Sequence, residues 1–148
     1  MPKEPNIQFA NLIYEIFGPT LHAIEFQVRE QNKYLVVFHK GDIELIFRLE
    51  PSHLFYDNSI EIRLSGKLAK EATPDSHYRH LGLTTIAECL DADYKMRLKK
   101  AQTEEELREI LLMDKGVLLN YGKSVLAGDV SSWQLIVDCL KKRKIVRP

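Results

Sequence analysis

The hydrophobic period changes once along this chain, and the change limits what it can fold into. Between Leu21 and Leu64 four short runs alternate apolar and polar residues; from about Leu83 onward apolar residues recur at helical steps of three and four. A period of two makes strands with one apolar face, and a period near 3.6 makes helices with one apolar stripe. Neither surface is stable in water, so the early sheet needs the late helices as its cover. The expected fold class is α+β: a four-stranded antiparallel meander packed against an N-terminal helix and about three C-terminal helices. The 148 residues read as a single globular domain, with no internal repeat or low-complexity tract.

The first element is a helix over Asn6–Phe17, with Phe9, Leu12, Ile13, Ile16 and Phe17 on one side. Asn6 suits its start, and Gly18-Pro19 is expected to end it. The strands follow. Leu21–Arg29 places Ile24, Phe26 and Val28 inward. Lys33–His39 is apolar on both sides and is expected to be central. Asp42–Leu49 points Ile43, Leu45, Phe47 and Leu49 inward, and Ser59–Leu64 points Ile60, Ile62 and Leu64 inward. The turns at Glu30-Gln31-Asn32 and Lys40-Gly41-Asp42 are too short for anything but antiparallel neighbours. Ser65–Leu81 reads as a crossing loop, with one helical turn at Lys67–Glu71.

Three capping-box spacings mark the helical block: Thr85-x-x-Glu88, Thr103-x-x-Glu106 and Ser131-x-x-Gln134. Asp91–Lys100, dense in charge, reads as a linker or an exposed turn of helix. The stripe Leu107, Ile110, Leu111, Val117, Leu118, Tyr121 is interrupted by Asp114. Gly116 is unfavourable in a helix interior and marks close packing or a break; Gly122 suits a stop. The last helix turns Trp133, Ile136, Val137 and Leu140 to the core.

Composition narrows the function classes. Lys plus Arg and Asp plus Glu each total 21, so the formal net charge is zero. Nucleic-acid binding, which needs an excess of cations, is disfavoured, and the basic string Lys141–Lys144 with Arg147 reads as a solvated helix end. The N-terminus lacks the apolar core of a signal peptide, and no apolar run approaches a membrane span. The expected location is cytoplasmic, with Cys89 and Cys139 as free thiols in helices; a disulfide between them is the alternative.

Chemistry-bearing candidates are few. Asp75-x-His77-x-x-His80 combines carboxylate and imidazole at a spacing that puts both histidines on one side of a helical turn, and it is the metal candidate. On the polar side of the sheet, Glu25, Glu44 and Glu61 are expected to keep that face wet. If the face is concave, His39, Glu44, Arg48 and Arg63 line a polar binding cleft. There is no Gly-rich phosphate loop and no Gly-x-Ser-x-Gly elbow, so no catalytic residue and no cofactor is assigned.

The string Tyr121-Gly122-Lys123-Ser124-Val125-Leu126-Ala127-Gly128-Asp129 reads mechanically as helix stop, apolar anchor, turn and new helix. It resembles the closing segment of small uncharacterised bacterial α+β domains, a few of which look like immunity proteins for secreted toxins. The resemblance covers about the last 30 residues and brings no catalytic residues with it. It implies a small bacterial domain acting by contact. The expected function is a non-catalytic protein-interaction domain, of regulatory or toxin-immunity type, whose partner is another protein or a second copy. Tyr34, Tyr56, Tyr78 and Tyr94 are the candidate anchors. The alternative is a small enzyme or ligand-binding domain with a pocket between sheet and helices, using Asp75, His77 and His80 if it needs a metal.

Overall fold

Strands form where the period of two runs, and the helices that follow roof them. The computed structural model describes residues 8–51, 56–95 and 100–146. Its elements are α1 (Phe9–Ala23), β1 (Gln27–Asn32), β2 (Leu35–Lys40), β3 (Ile43–Pro51), β4 (Tyr56–Leu64), α2 (Gly66–Ala72), a 3-10 turn (Ser76–Tyr78), β5 (His80–Gly82), α3 (Leu83–Leu90), α4 (Glu104–Val117), a π turn (Leu118–Gly122), α5 (Lys123–Leu126) and α6 (Val130–Val146). The fold is α+β, as expected. The sheet is an antiparallel meander in the order β1-β2-β3-β4-β5, so the crossing segment after Leu64 contributes α2 and a short fifth strand. β2 is an interior strand, as expected, and β3 is the middle one of the five.

Register lines up the inner face. Phe38, Leu45, Ile62 and Leu81 form one cross-strand row, and Val36, Phe47 and Ile60 the next. All are buried in one continuous core with Trp133 and Ile136 of α6 and Leu107 and Leu111 of α4. Helix α1 packs on β1 and β2, α3 on β4 and β5, and α4 lies against α1. On the outer face Val37 and Ile46, register partners, are also buried. The two-sided apolar pattern of β2 thus reflects real burial on both faces.

Helix α1 runs through Gly18-Pro19 rather than ending there. Proline removes the N–H that would reach the Glu15 carbonyl, but both residues are exposed, so water can satisfy that carbonyl. Leu21, four residues after Phe17 on the buried side, is 1% exposed and keeps the last turn on the core. The helix closes with a Schellman motif: Phe26 N–H donates to the Leu21 carbonyl at 2.9 Å and Glu25 N–H to the His22 carbonyl at 3.0 Å. Glu25 takes the left-handed position, with φ 70°. The first strand therefore begins late. Ile24 and Val28 are 39% and 37% exposed, while Phe26 alone of the expected trio is buried. Asn6 lies outside the described residues.

Of the three capping boxes, Thr103 caps its helix, its Oγ1 accepting from Glu106 N–H at 3.1 Å, while the Glu106 carboxylate takes the Thr103 hydroxyl at 3.3 Å. Thr85 lies inside α3, which starts at Leu83 after Gly82, so its box is unused. Asp129, not Ser131, caps α6, its carboxylate accepting from Ser131 N–H at 3.0 Å and from both serine hydroxyls. These bonds hold the Asp129 carboxyl below its ordinary range. Gly116 neither breaks α4 nor sits in a tight contact, and Gly122 is no stop: the chain passes through the π turn straight into α5. No helix among the described residues is long and apolar enough to cross a membrane.

Candidate functional site

Strand β4 is nine residues long, but β5 pairs only with Glu61–Arg63 of it. Among the described residues, the β4 edge below that pairing has no strand partner until Tyr56, which makes a two-bond bridge with Ala101 (Tyr56 N–H to the Ala101 carbonyl at 2.6 Å, and the reverse at 3.2 Å). In an antiparallel strand the hydrogen-bonding direction alternates by residue. Since Tyr56 and Leu64 bond outward, Asn58 and Ile60 turn their backbone groups the same way, away from β3. Their direction is into a cleft of about 620 Å³ at this edge, walled by the start of α3, by Tyr94, and by Ile110, Asp114 and Val117 of α4.

Asp114 is the group that gives the cleft its polarity. It lies half-buried on the core-facing stripe of α4, where the other positions are apolar. Desolvation pushes its carboxyl above the ordinary aspartate range, and a hydrogen bond from Asn58 Nδ2 at 3.0 Å pulls the other way. Asn58 is on the inward side of β4, so its amide reaches across the sheet end to the helix. Behind it, the Tyr121 hydroxyl donates to Asp91 at 2.6 Å, and the Tyr94 ring meets Tyr121 edge-on at 5.6 Å. The Tyr121 bond lowers the Asp91 carboxyl's pKa and raises that of the Tyr121 phenol.

The opposite rim is Glu61 with His80. His80 Nε2 contacts Glu61 Oε1, while Glu61 Oε2 accepts from Arg48 Nε at 3.2 Å and from the Ser59 hydroxyl at 3.1 Å. This fixes the imidazole against a carboxylate. It is not a nucleophilic triad: the hydroxyl donates to the acid, not to the imidazole that would have to take its proton.

The candidates named from sequence divide accordingly. Glu44 and Arg63 do come together, Arg63 Nε donating to Glu44 at 2.7 Å, with Arg29 Nη1 3.2 Å from the same carboxylate. His39 stands opposite Glu44 in register. Arg48 pairs instead with Glu61, so the four do not form one pocket. Glu44 does not keep the face wet: it is 5% exposed under its two arginines. None of the four lines the cleft. In the proposed metal motif, Asp75 accepts from His77 N–H at 3.0 Å and His77 is exposed, while His80 belongs to Glu61 on the sheet. No group of three or more His, Cys, Asp or Glu placed to hold a metal ion occurs among the described residues.

Tyr78 is buried and Tyr34 and Tyr56 are half-buried against the core, so these three finish the core rather than present a surface, while half-buried Tyr94 walls the cleft. Cys89 and Cys139 are free and half-buried. Burial and the Cys139 thiol push the Cys89 thiol up to about 12. Part of the basic string is anchored: Arg143 Nη1 lies 3.4 Å from Glu88, and Lys141 Nζ 5.9 Å from the centre of the Tyr78 ring.

Reading the sequence missed Asn58, which precedes the expected strand Ser59–Leu64, and Asp114, noted only as an interruption. A carboxylate inside an apolar helical stripe was the available signal. No family model, curated protein or solved structure matches the chain.

Proposed function

We propose that the chain is a ligand-binding domain that takes a small polar molecule in the cleft at the edge of β4. The observation that carries this reading is convergence. The desolvated Asp114 carboxyl, the Asn58 amide and the outward backbone groups of Asn58 and Ile60 meet in one concave space. Its volume falls within the range of ordinary small-molecule sites, roughly 300–1,000 Å³. A ligand with adjacent donor and acceptor groups, such as an amide or a hydroxy acid, matches a strand edge beside a desolvated carboxyl.

Amide chemical-shift mapping with a set of small polar compounds tests this. The expected result is saturable shifts at Asn58, Ile60, His80 and Asp114, weakened by Asn58→Ala and Asp114→Ala. Compounds that leave those four amides unmoved, or that bind both variants as well as the parent, would refute it.

The contact-module reading, regulatory or toxin-neutralising, draws its support from a different place, the outward side of α4.

A further inference from the structure

Helix α4 buries Leu107 and Leu111 on one side and leaves a second apolar side uncovered. Leu112 and Met113 of α4, and Leu119 in the π turn that continues it, are 52%, 37% and 43% exposed. Between them lies Gly116, exposed, with nothing of its own chain within 4 Å of where a Cβ would stand. A glycine in a helix interior costs about 1 kcal/mol relative to alanine. The fold itself supplies no reason for it, whereas close approach of another helix would. The same side carries exposed Glu105 and Glu109 in the N-terminal half, with Arg108 between them turned to Glu15 of α1 at 2.7 Å, and Lys115 and, in α5, Lys123 beyond Leu112. A groove of about 320 Å³ runs beside it, with Ile110 and Met113 as its apolar part and Glu106 and Glu109 on its rim.

We propose that a second copy of this chain docks on this side of α4, the two helices crossing antiparallel about a two-fold axis near Asp114. In that register Leu112 of each copy faces Gly116 of the other, the one position where a large side chain meets an absent one. Leu119 comes opposite Glu109 and enters the groove at Ile110 and Met113. Lys123 comes opposite Glu105. One Glu–Lys pair thus forms at each end of the crossing, and the helix dipoles oppose. Zero formal net charge leaves no long-range repulsion to prevent the encounter. The proposal does not rest on the ligand-cleft reading: Ile110 borders both spaces, but Asn58, His80 and the cleft's backbone groups take no part.

Sedimentation velocity over a concentration series, from micromolar toward millimolar, tests it on the full chain. The expected result is a reversible monomer–dimer equilibrium that weakens with added salt. Gly116→Leu should weaken it by about tenfold or more while leaving the circular dichroism and melting temperature unchanged or raised, since its side chain meets open space in the monomer. Glu105→Lys and Lys123→Glu should each weaken dimerisation, and the double variant should restore it. A chain that stays monomeric throughout overturns the proposal. So does a dimer indifferent to Gly116→Leu, or single charge reversals that the double variant fails to rescue.

Discussion

Asp114 shows how one residue joins stability to the site. Its carboxyl is desolvated, so the folded protein holds that proton more tightly than the unfolded chain does. A raised folded pKa gives stability that is full below the ordinary aspartate value, about 3.9, and lost as pH rises through the folded value. Asparagine keeps the hydrogen bond with Asn58 and removes the charge. Thermal melts of parent and Asp114→Asn across the acid range should therefore diverge with rising pH, the variant gaining relative stability toward neutrality. A difference that stays constant with pH, or that runs in the opposite direction, would show that the carboxylate is not disfavoured in the fold. Glu44 is the contrasting case: a carboxylate buried on the sheet that is held by two arginines and has no part in the cleft.

At the scale of the element, ends matter more than interiors. The path of α1 is set by its Schellman closure, and the strained member of that closure is Glu25 at φ 70°. A left-handed conformation costs a side-chain-bearing residue about 1–2 kcal/mol, and glycine nothing comparable. Glu25→Gly should raise stability by about 0.5–1 kcal/mol in urea denaturation, after the entropy glycine loses on folding is set against the relief of strain. A loss of stability would mean that the Glu25 side chain contributes more than its backbone position costs. The same logic explains β1: once the helix has used Ile24 as its cap, the strand can start only at Gln27, and its six side chains all lie exposed on an edge. A polar, bulged edge strand of this kind resists edge-to-edge aggregation.

For the whole molecule, the joint between the crossing segment and the final helix is Trp133. It is 1% exposed, and its Nε1 donates to the Tyr78 carbonyl at 2.8 Å, tying α6 to the 3-10 turn before β5. Gln134 adds a bond to the Glu71 carbonyl at the end of α2. Trp133→Phe keeps an aromatic ring but leaves a buried carbonyl without its donor, which costs about 1–3 kcal/mol. The urea midpoint followed by circular dichroism should fall accordingly, with the slope unchanged. A midpoint equal to the parent's would show that the Tyr78 carbonyl finds another partner.

Much of this architecture was legible in the residues. The alternation of Ile43, Leu45, Phe47 and Leu49 identifies the inner face of β3, and the Thr103 box identifies the start of α4, because both signals are local: the residues that carry them are neighbours in the chain. The cleft was not legible. Asn58 and Asp114 are fifty-six residues apart, and only packing α4 against the end of β4 brings them to 3.0 Å. Nor does local sequence tell that Pro19 stays inside a helix, since Leu21's burial overrides the proline, or that β5 stops at Gly82 and pairs with only three residues of β4. Periodicity determined which surfaces must be hidden. Tertiary structure alone decided which polar groups would be carried inside with them, because desolvation depends on everything packed around a group and not on its neighbours in the chain.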